Sequence, residues 1–105
     1  MYGSIFRMRI KPAREEDAVA LFDEWWRARG PRVPGVIASY LLRPDRETNE
    51  ALGVAIFADR ASYHANASDP DQDQWYRRLR DTLEDEPQWE DGEFIRAEVS
   101  PLAAT

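Results

Sequence analysis

Hydrophobic side chains change period several times along this chain, and the order of those changes restricts the folds open to it. Residues 2–10 alternate: Tyr2, Ser4, Phe6, Met8 and Ile10 point one way, and Ile5, Arg7 and Arg9 the other. A period of two with aromatic and β-branched residues predicts a half-buried strand, and Lys11-Pro12 closes it because proline has no N–H for a ladder. Residues 14–29 switch to helical spacing through Ala18, Leu21, Phe22, Trp25, Trp26 and Arg29. Glu15, Glu16 and Asp17 lie at the end where the helix dipole favours anions, and Arg27 and Arg29 at the end where it favours cations. Asp23 and Arg27 form an i,i+4 pair on the opposite side, and Gly30-Pro31 stops the helix.

Residues 36–43 alternate again, with Val36, Ala38, Tyr40 and Leu42 on one face and Ile37, Ser39 and Leu41 on the other. The wholly polar residues 44–50 read as a hairpin loop. Residues 51–58 are almost continuously apolar, as in a central strand buried on both sides. Gly53 within that strand marks either a bulge or a place where another group lies against the backbone. A short helix is expected from Asp59 to about Asn66, and a second from Asp69-Pro70. There Asp69 is the N-cap, Pro70 the first helical residue and Gln72 the capping-box partner. Trp75, Leu79 and Leu83 recur every four residues with Tyr76 alongside, while Asp73–Arg77, Arg77–Asp81 and Arg80–Glu84 ladder the outer surface. Pro87 ends this helix, Asp91-Gly92 predicts a turn, and residues 93–99 predict a last strand with Ile95, Ala97 and Val99 on one face.

The resulting order, β-α-β-β-α-β, is that of an α+β, ferredoxin-like fold: a four-stranded antiparallel sheet with helices on one face. Residues 1–100 are expected to form a single domain and residues 101–105 a frayed tail. The second sheet face combines Ile5, Ile37 and Leu41, or their alternates, with Arg7 and Arg9 and is too apolar to be left wet. A second copy of the chain is the expected cover. The first and last strands are neighbours in this topology, so Arg7 and Arg9 are expected to meet Glu98 or Arg96.

Composition narrows the function. With no cysteine and one histidine, His64, disulfides, thiolate catalysis, cysteine-ligated metals and a histidine-rich metal site within one chain are excluded. A formal charge of −6 argues against nucleic acid or an anionic membrane surface as partner. Charge is uneven, +3 over residues 1–46 and −9 over residues 47–105, which is either a solvated acidic surface or a means of orienting a charged ligand or a second copy. No apolar run is long enough to span a bilayer and no signal-peptide pattern is seen, so the cytoplasm is the expected location. Eight of the twelve aromatics are Trp or Tyr, which bury a large apolar area behind a polar tip and suit a bulky core, an interface or a pocket for a flat ligand.

The stretch Gly53-Val54-Ala55-Ile56-Phe57-Ala58-Asp59-Arg60-Ala61-Ser62-Tyr63-His64-Ala65-Asn66-Ala67 is a strand ending in an aromatic, then a short helix holding a Tyr and an Asn. It resembles the antibiotic biosynthesis monooxygenase-like family of dimeric α/β-barrel proteins. Asp69-Pro70-Asp71-Gln72-Asp73-Gln74-Trp75-Tyr76-Arg77-Arg78-Leu79 resembles that family's second long helix, and Arg43 closes strand two before a polar hairpin as in the family. The resemblance spans roughly residues 2–99. It implies a homodimer whose two sheets close into a barrel, with a pocket between sheet and helices in each subunit. Some members of the family are cofactor-free oxygenases of electron-rich polycyclic phenols, and others bind and degrade haem.

A cofactor-free oxygenase needs an apolar pocket, a base, and a donor for the developing oxyanion. Candidate walls are Phe22, Trp26, Tyr40, Phe57, Tyr63, Trp75 and Tyr76, which are equally suited to ordinary helix-on-sheet packing. His64 is the side chain with an ordinary pKa near neutrality and so the candidate base; Asn66 offers an amide donor. In the bland alternative His64 is a surface residue and Asn66 a helix cap. Three functions remain: a cofactor-independent monooxygenase-like protein acting on a hydrophobic, aromatic small molecule; a non-catalytic dimeric module that binds such a molecule or is purely structural; and, a distant third, haem degradation. The last would call on a histidine axial ligand and, in such family members, a first-strand asparagine, which is absent here. The acidic run Glu84-Asp85-Glu86 reads as a solvated helix end. No cofactor and no metal site is expected.

Overall fold

The computed structural model describes residues 1–101. Residues 2–93 supply its regular elements: β1 (Tyr2–Arg9), α1 (Glu15–Glu24), a π-helical turn (Trp25–Arg29), a 3-10 turn (Gly30–Arg32), β2 (Val36–Leu42), β3 (Glu50–Phe57), α2 (Arg60–Ala67), α3 (Pro70–Arg80) and β4 (Gln88–Glu93). The strands form one antiparallel sheet in the order β2-β3-β1-β4, so the α+β, ferredoxin-like arrangement expected from the periodicities is the one found. Of the expected tail at 101–105, residues 102–105 lie outside the described residues.

The helix-covered face of β1 carries Ser4, Phe6, Met8 and Ile10, all buried, while Ile5, Arg7 and Arg9 are exposed. Phe6, Met8 and Ile10 pack with Ala18, Leu21 and Trp25 of the first helical segment and with Trp75, Leu79 and Leu83. Each large side chain in such a core contributes about 1.5–3 kcal/mol. Trp75 Nε1 donates to the Leu21 carbonyl at 2.8 Å, fastening α3 to α1 within the core. The helix starts follow local chemistry: Asp59 accepts from the Ser62 N–H at 2.7 Å and Asp69 from the Asp71 N–H at 2.8 Å, with Pro70 in the first turn. Gly35 (φ 83°) leads into β2; a Cβ there would fall 2.6 Å from Ser62 Cβ.

Several expectations change. The first helix does not run regularly to residue 29 but widens into the π turn, where the Gly30 N–H reaches back to the Trp25 carbonyl. A bulge between Val36 and Ala38 breaks the alternation of β2. Val36 pairs with Phe57, Ser39 with Ala55 and Leu41 with Gly53 on the helix-covered side, and Tyr40 and Leu42 pair with Val54 and Leu52 on the open side. α3 ends at Arg80, well before Pro87, and Leu83 instead bridges to Ile10.

The last strand is Gln88–Glu93 rather than 93–99, and Asp91-Gly92 lies within it instead of forming a turn. Its register against β1 runs from Arg7↔Gln88 to Tyr2↔Glu93. The β1–β4 ladder ends at Tyr2 and Glu93; after a last bond from the Phe94 N–H to the Met1 carbonyl, Ile95 and Val99 stand 98% and 72% exposed. For the same reason Arg7 pairs with Glu50, and Arg9 with Asp85 and Glu84, while Arg96 and Glu98 pair with each other. The open sheet face presents exposed Ile5, Tyr40 and Leu42 together with the Arg7–Glu50 pair.

Candidate functional site

A cavity of about 380 Å³ lies between the sheet and the helices, within the size range of small-molecule sites. Its sheet side is formed by Phe6, Val36, Ser39, Ala55, Phe57 and Trp89, and its helix side by Phe22, Trp25, Tyr63, Trp75, Tyr76 and Leu79. The rings brace one another: Phe22 meets Trp75 edge-on at 5.1 Å, Phe57 meets Tyr63 at 5.5 Å, and Trp89 tilts against Phe6 at 4.8 Å. Ala55, on the part of β3 that lines the cavity, places little bulk opposite the helices. The Phe6 ring fills the space over Gly53.

Polar groups enter this apolar box at a few points. Asn66 and Gln72 line it, and each has its oxygen engaged from behind. Arg29 Nη2 donates to Asn66 Oδ1 at 2.9 Å, and Trp25 Nε1 donates to Gln72 Oε1 at 2.6 Å. The capping-box role expected of Gln72 is thus not the one it takes: its side chain turns from the helix N-terminus to Trp25. Asp73 also lines the cavity and is paired with Arg77 at 3.0 Å. The Tyr63 hydroxyl donates to Asp91 at 2.9 Å; burial first, and then this carboxylate, push its pKa up to about 12. Burial likewise leads in pushing Tyr76 up to about 12, with the Glu86 carboxylate accepting from its hydroxyl. Both phenols are therefore held neutral at physiological pH.

The structure brings Phe22, Phe57, Tyr63, Asn66, Trp75 and Tyr76 to this cavity, and leaves His64, Trp26 and Tyr40 outside it. Tyr63, Asn66 and Ala67 occupy the inward stripe of α2, and His64 lies off that stripe, exposed, with its ring against Tyr2 and Tyr63. The base expected at His64 is accordingly not at the site. Trp26, 45% exposed, follows Trp25 around the helix away from the sheet, and Tyr40, 59% exposed, is turned to the open face by the bulge in β2. The chain's one imidazole, His64, is outside the cavity, so a histidine-ligated haem would have no axial ligand there. Among the described residues no cluster of three His, Cys, Asp or Glu side chains could hold a metal ion. Trp25, Gln72, Asp73 and Trp89 are cavity residues that sequence reasoning missed as site candidates. Trp25 was visible as part of the helix stripe, whereas nothing local distinguishes Trp89.

No protein-family model matches the sequence, and no curated protein matches it. Solved structures do match. SnoaB, a cofactor-independent oxygenase from Streptomyces nogalater, superposes in two crystal structures with TM-scores of 0.78 and 0.70 at 17% and 21% identity. The matches cover 91% and 95% of this chain and 94% and 96% of those chains. The chain has the fold of these oxygenases. A further antibiotic biosynthesis monooxygenase matches with a TM-score of 0.73 at 14% identity, over 91% of this chain and 100% of that one. A protein of unknown function from Nitrosomonas europaea matches at 0.74 and 17%, over 94% of this chain and 93% of that one. At these identities the likeness is one of fold, and the monooxygenase fold accommodates chemistry only through the side chains of each cavity.

Proposed function

We propose that this protein is a cofactor-independent monooxygenase of a hydrophobic, aromatic small molecule. The observation that carries this reading is the aromatic cavity of about 380 Å³ with an amide, Asn66, in its wall. In such a reaction an ionised phenol gives one electron to O₂, and the ring radical and superoxide combine. The resulting hydroperoxide loses water to leave a quinone. One oxygen atom enters the ring, the other leaves as water, and all four electrons come from the substrate. Asn66 stabilises the phenolate by N–H donation, the rings hold the substrate flat, and the apolar walls keep bulk water from the radical pair. With His64 outside the cavity, proton removal falls to the Asp73 carboxylate or to a phenol acidic enough to ionise unaided.

A second copy, covering Ile5, Tyr40 and Leu42 on the open sheet face, completes the assembly in this reading. No helix among the described residues is long and apolar enough to cross a membrane, and the site of action proposed is the cytoplasm.

The absence of an imidazole from the cavity favours one other reading, a dimeric module that binds an aromatic molecule without turning it over. Oxygen uptake with 1,5-dihydroxynaphthalene, followed together with tryptophan fluorescence, separates the two. Uptake of one O₂ per quinone formed, lost in Asn66→Ala, supports the oxygenase. Fluorescence change without uptake above the uncatalysed rate leaves the binding module.

A further inference from the structure

Two side-chain amides line the cavity, and both are oriented by partners that can only donate. An arginine guanidinium has no acceptor and an indole N–H has none. The contacts Arg29 Nη2–Asn66 (2.9 Å) and Trp25 Nε1–Gln72 (2.6 Å) therefore each require the amide oxygen on the protein side. Each amide is left with a free NH₂ on a residue that lines the cavity: neither nitrogen is bonded to another group among the described residues.

The two partners are themselves coupled. The π turn sets Trp25 and Arg29 on the same side of the first helical segment, and the Arg29 guanidinium carbon lies 6.0 Å from the centroid of the Trp25 ring. Arg29 is further held near Asp69 and Asp71 at 3.8 and 3.9 Å, and its buried Nε has no partner among the described residues. Its position is thus set by packing and charge around the junction of α2 and α3, where Asn66 and Gln72 stand.

We propose that Asn66 and Gln72 act as a pair of N–H donors that select ligands presenting an oxygen acceptor, a ring carbonyl or phenolate, with Arg29 and Trp25 as the positioning residues that prevent either amide from flipping. The inference rests on the reading of the cavity as a site for flat aromatic molecules, and it narrows that class to those carrying an acceptor oxygen on the ring. A flipped amide would offer an acceptor and favour a hydroxyl instead. The locked arrangement excludes that alternative because the flip would set an N–H against a donor on both sides.

The test is a tryptophan-fluorescence titration of the full chain with 9-fluorenone and with fluorene, flat molecules that differ by one carbonyl oxygen. Wild type is expected to bind fluorenone about tenfold more tightly, the effect of one to two net hydrogen bonds. Gln72→Glu and Asn66→Asp are near-isosteric, keep the bonds from Trp25 and Arg29, and replace each donor by an acceptor. Each is expected to abolish most of the fluorenone preference, read as the ratio of the two affinities. Arg29→Met, which releases Asn66 to flip, should reduce the same ratio, whereas a purely structural role would weaken both ligands together. Equal binding of the two ligands by wild type overturns the donor pair and leaves the aromatic cavity standing, as does a preference that survives both isosteric variants. Binding of neither ligand overturns the cavity reading and this inference with it.

Discussion

The ring of Phe6 lies so close to Gly53 on the neighbouring strand that a Cβ at Gly53 would sit 2.1 Å from two of the ring carbons. The absence of a side chain on β3 is what lets Phe6 lie across the sheet, where it forms part of both the core and the cavity. Gly53→Ala must therefore push the ring toward the cavity. A loss of about 1–3 kcal/mol is expected by urea denaturation, the usual cost of overpacking, together with weaker binding of any flat ligand. Unchanged stability would show that Phe6 can move aside freely.

Tyr63 and Tyr76 are both shifted upward, to about 12 from an ordinary 10.0. A phenol whose folded pKa exceeds its unfolded one binds its proton more tightly when folded, so its contribution to stability is complete below pH 10 and is lost as pH rises toward 12. The thermal midpoint should fall across that window. Absorbance at 295 nm should show two tyrosines ionising late, and Tyr63→Phe should remove one of them.

His64→Ala is expected to leave ligand binding and any oxygen uptake within about twofold of wild type, because the side chain is exposed and outside the cavity. Asn66→Ala should reduce uptake by about tenfold or more if its N–H stabilises developing charge. The opposite pattern in parallel assays would return the base to His64.

The open face predicts self-association. Tyr40→Glu combined with Leu42→Glu places two charges among exposed apolar residues of the sheet and should convert a dimer to a monomer by light scattering. The far-ultraviolet circular dichroism should stay unchanged, since neither side chain belongs to the core. A wild-type protein already monomeric at micromolar concentration rules out the second copy.

Much of the architecture was legible locally. The alternation of Ser4, Phe6 and Met8 against Ile5 and Arg7 determined which face of β1 is buried. Asp59 and Asp69 announced the starts of α2 and α3, and Gly53 announced either a bulge or a close approach to the backbone, of which the second is found. These are properties of a few consecutive residues, where period, capping chemistry and backbone freedom act without help from the rest of the chain. The cavity was legible only in part, because an aromatic on a helix face shows that it is buried and not which neighbours leave space beside it.

Tertiary structure decided what depends on contacts between distant segments. Residues 93–99 have the alternation of a strand, but the ladder with β1 ends at Glu93 and Ile95 to Val99 take no part in it. Tyr40 has the right type and spacing for a cavity wall, but a bulge against β3 turns it to the other face. Gln72 has the position of a capping-box residue, but an indole 47 residues earlier in the chain takes its oxygen. By itself the sequence determined the order of the elements and the aromatic character of the space between them. Only the packing of α1 against the α2–α3 junction decided which atoms face that space, because hydrogen-bond direction is set by both partners and sequence shows each partner alone.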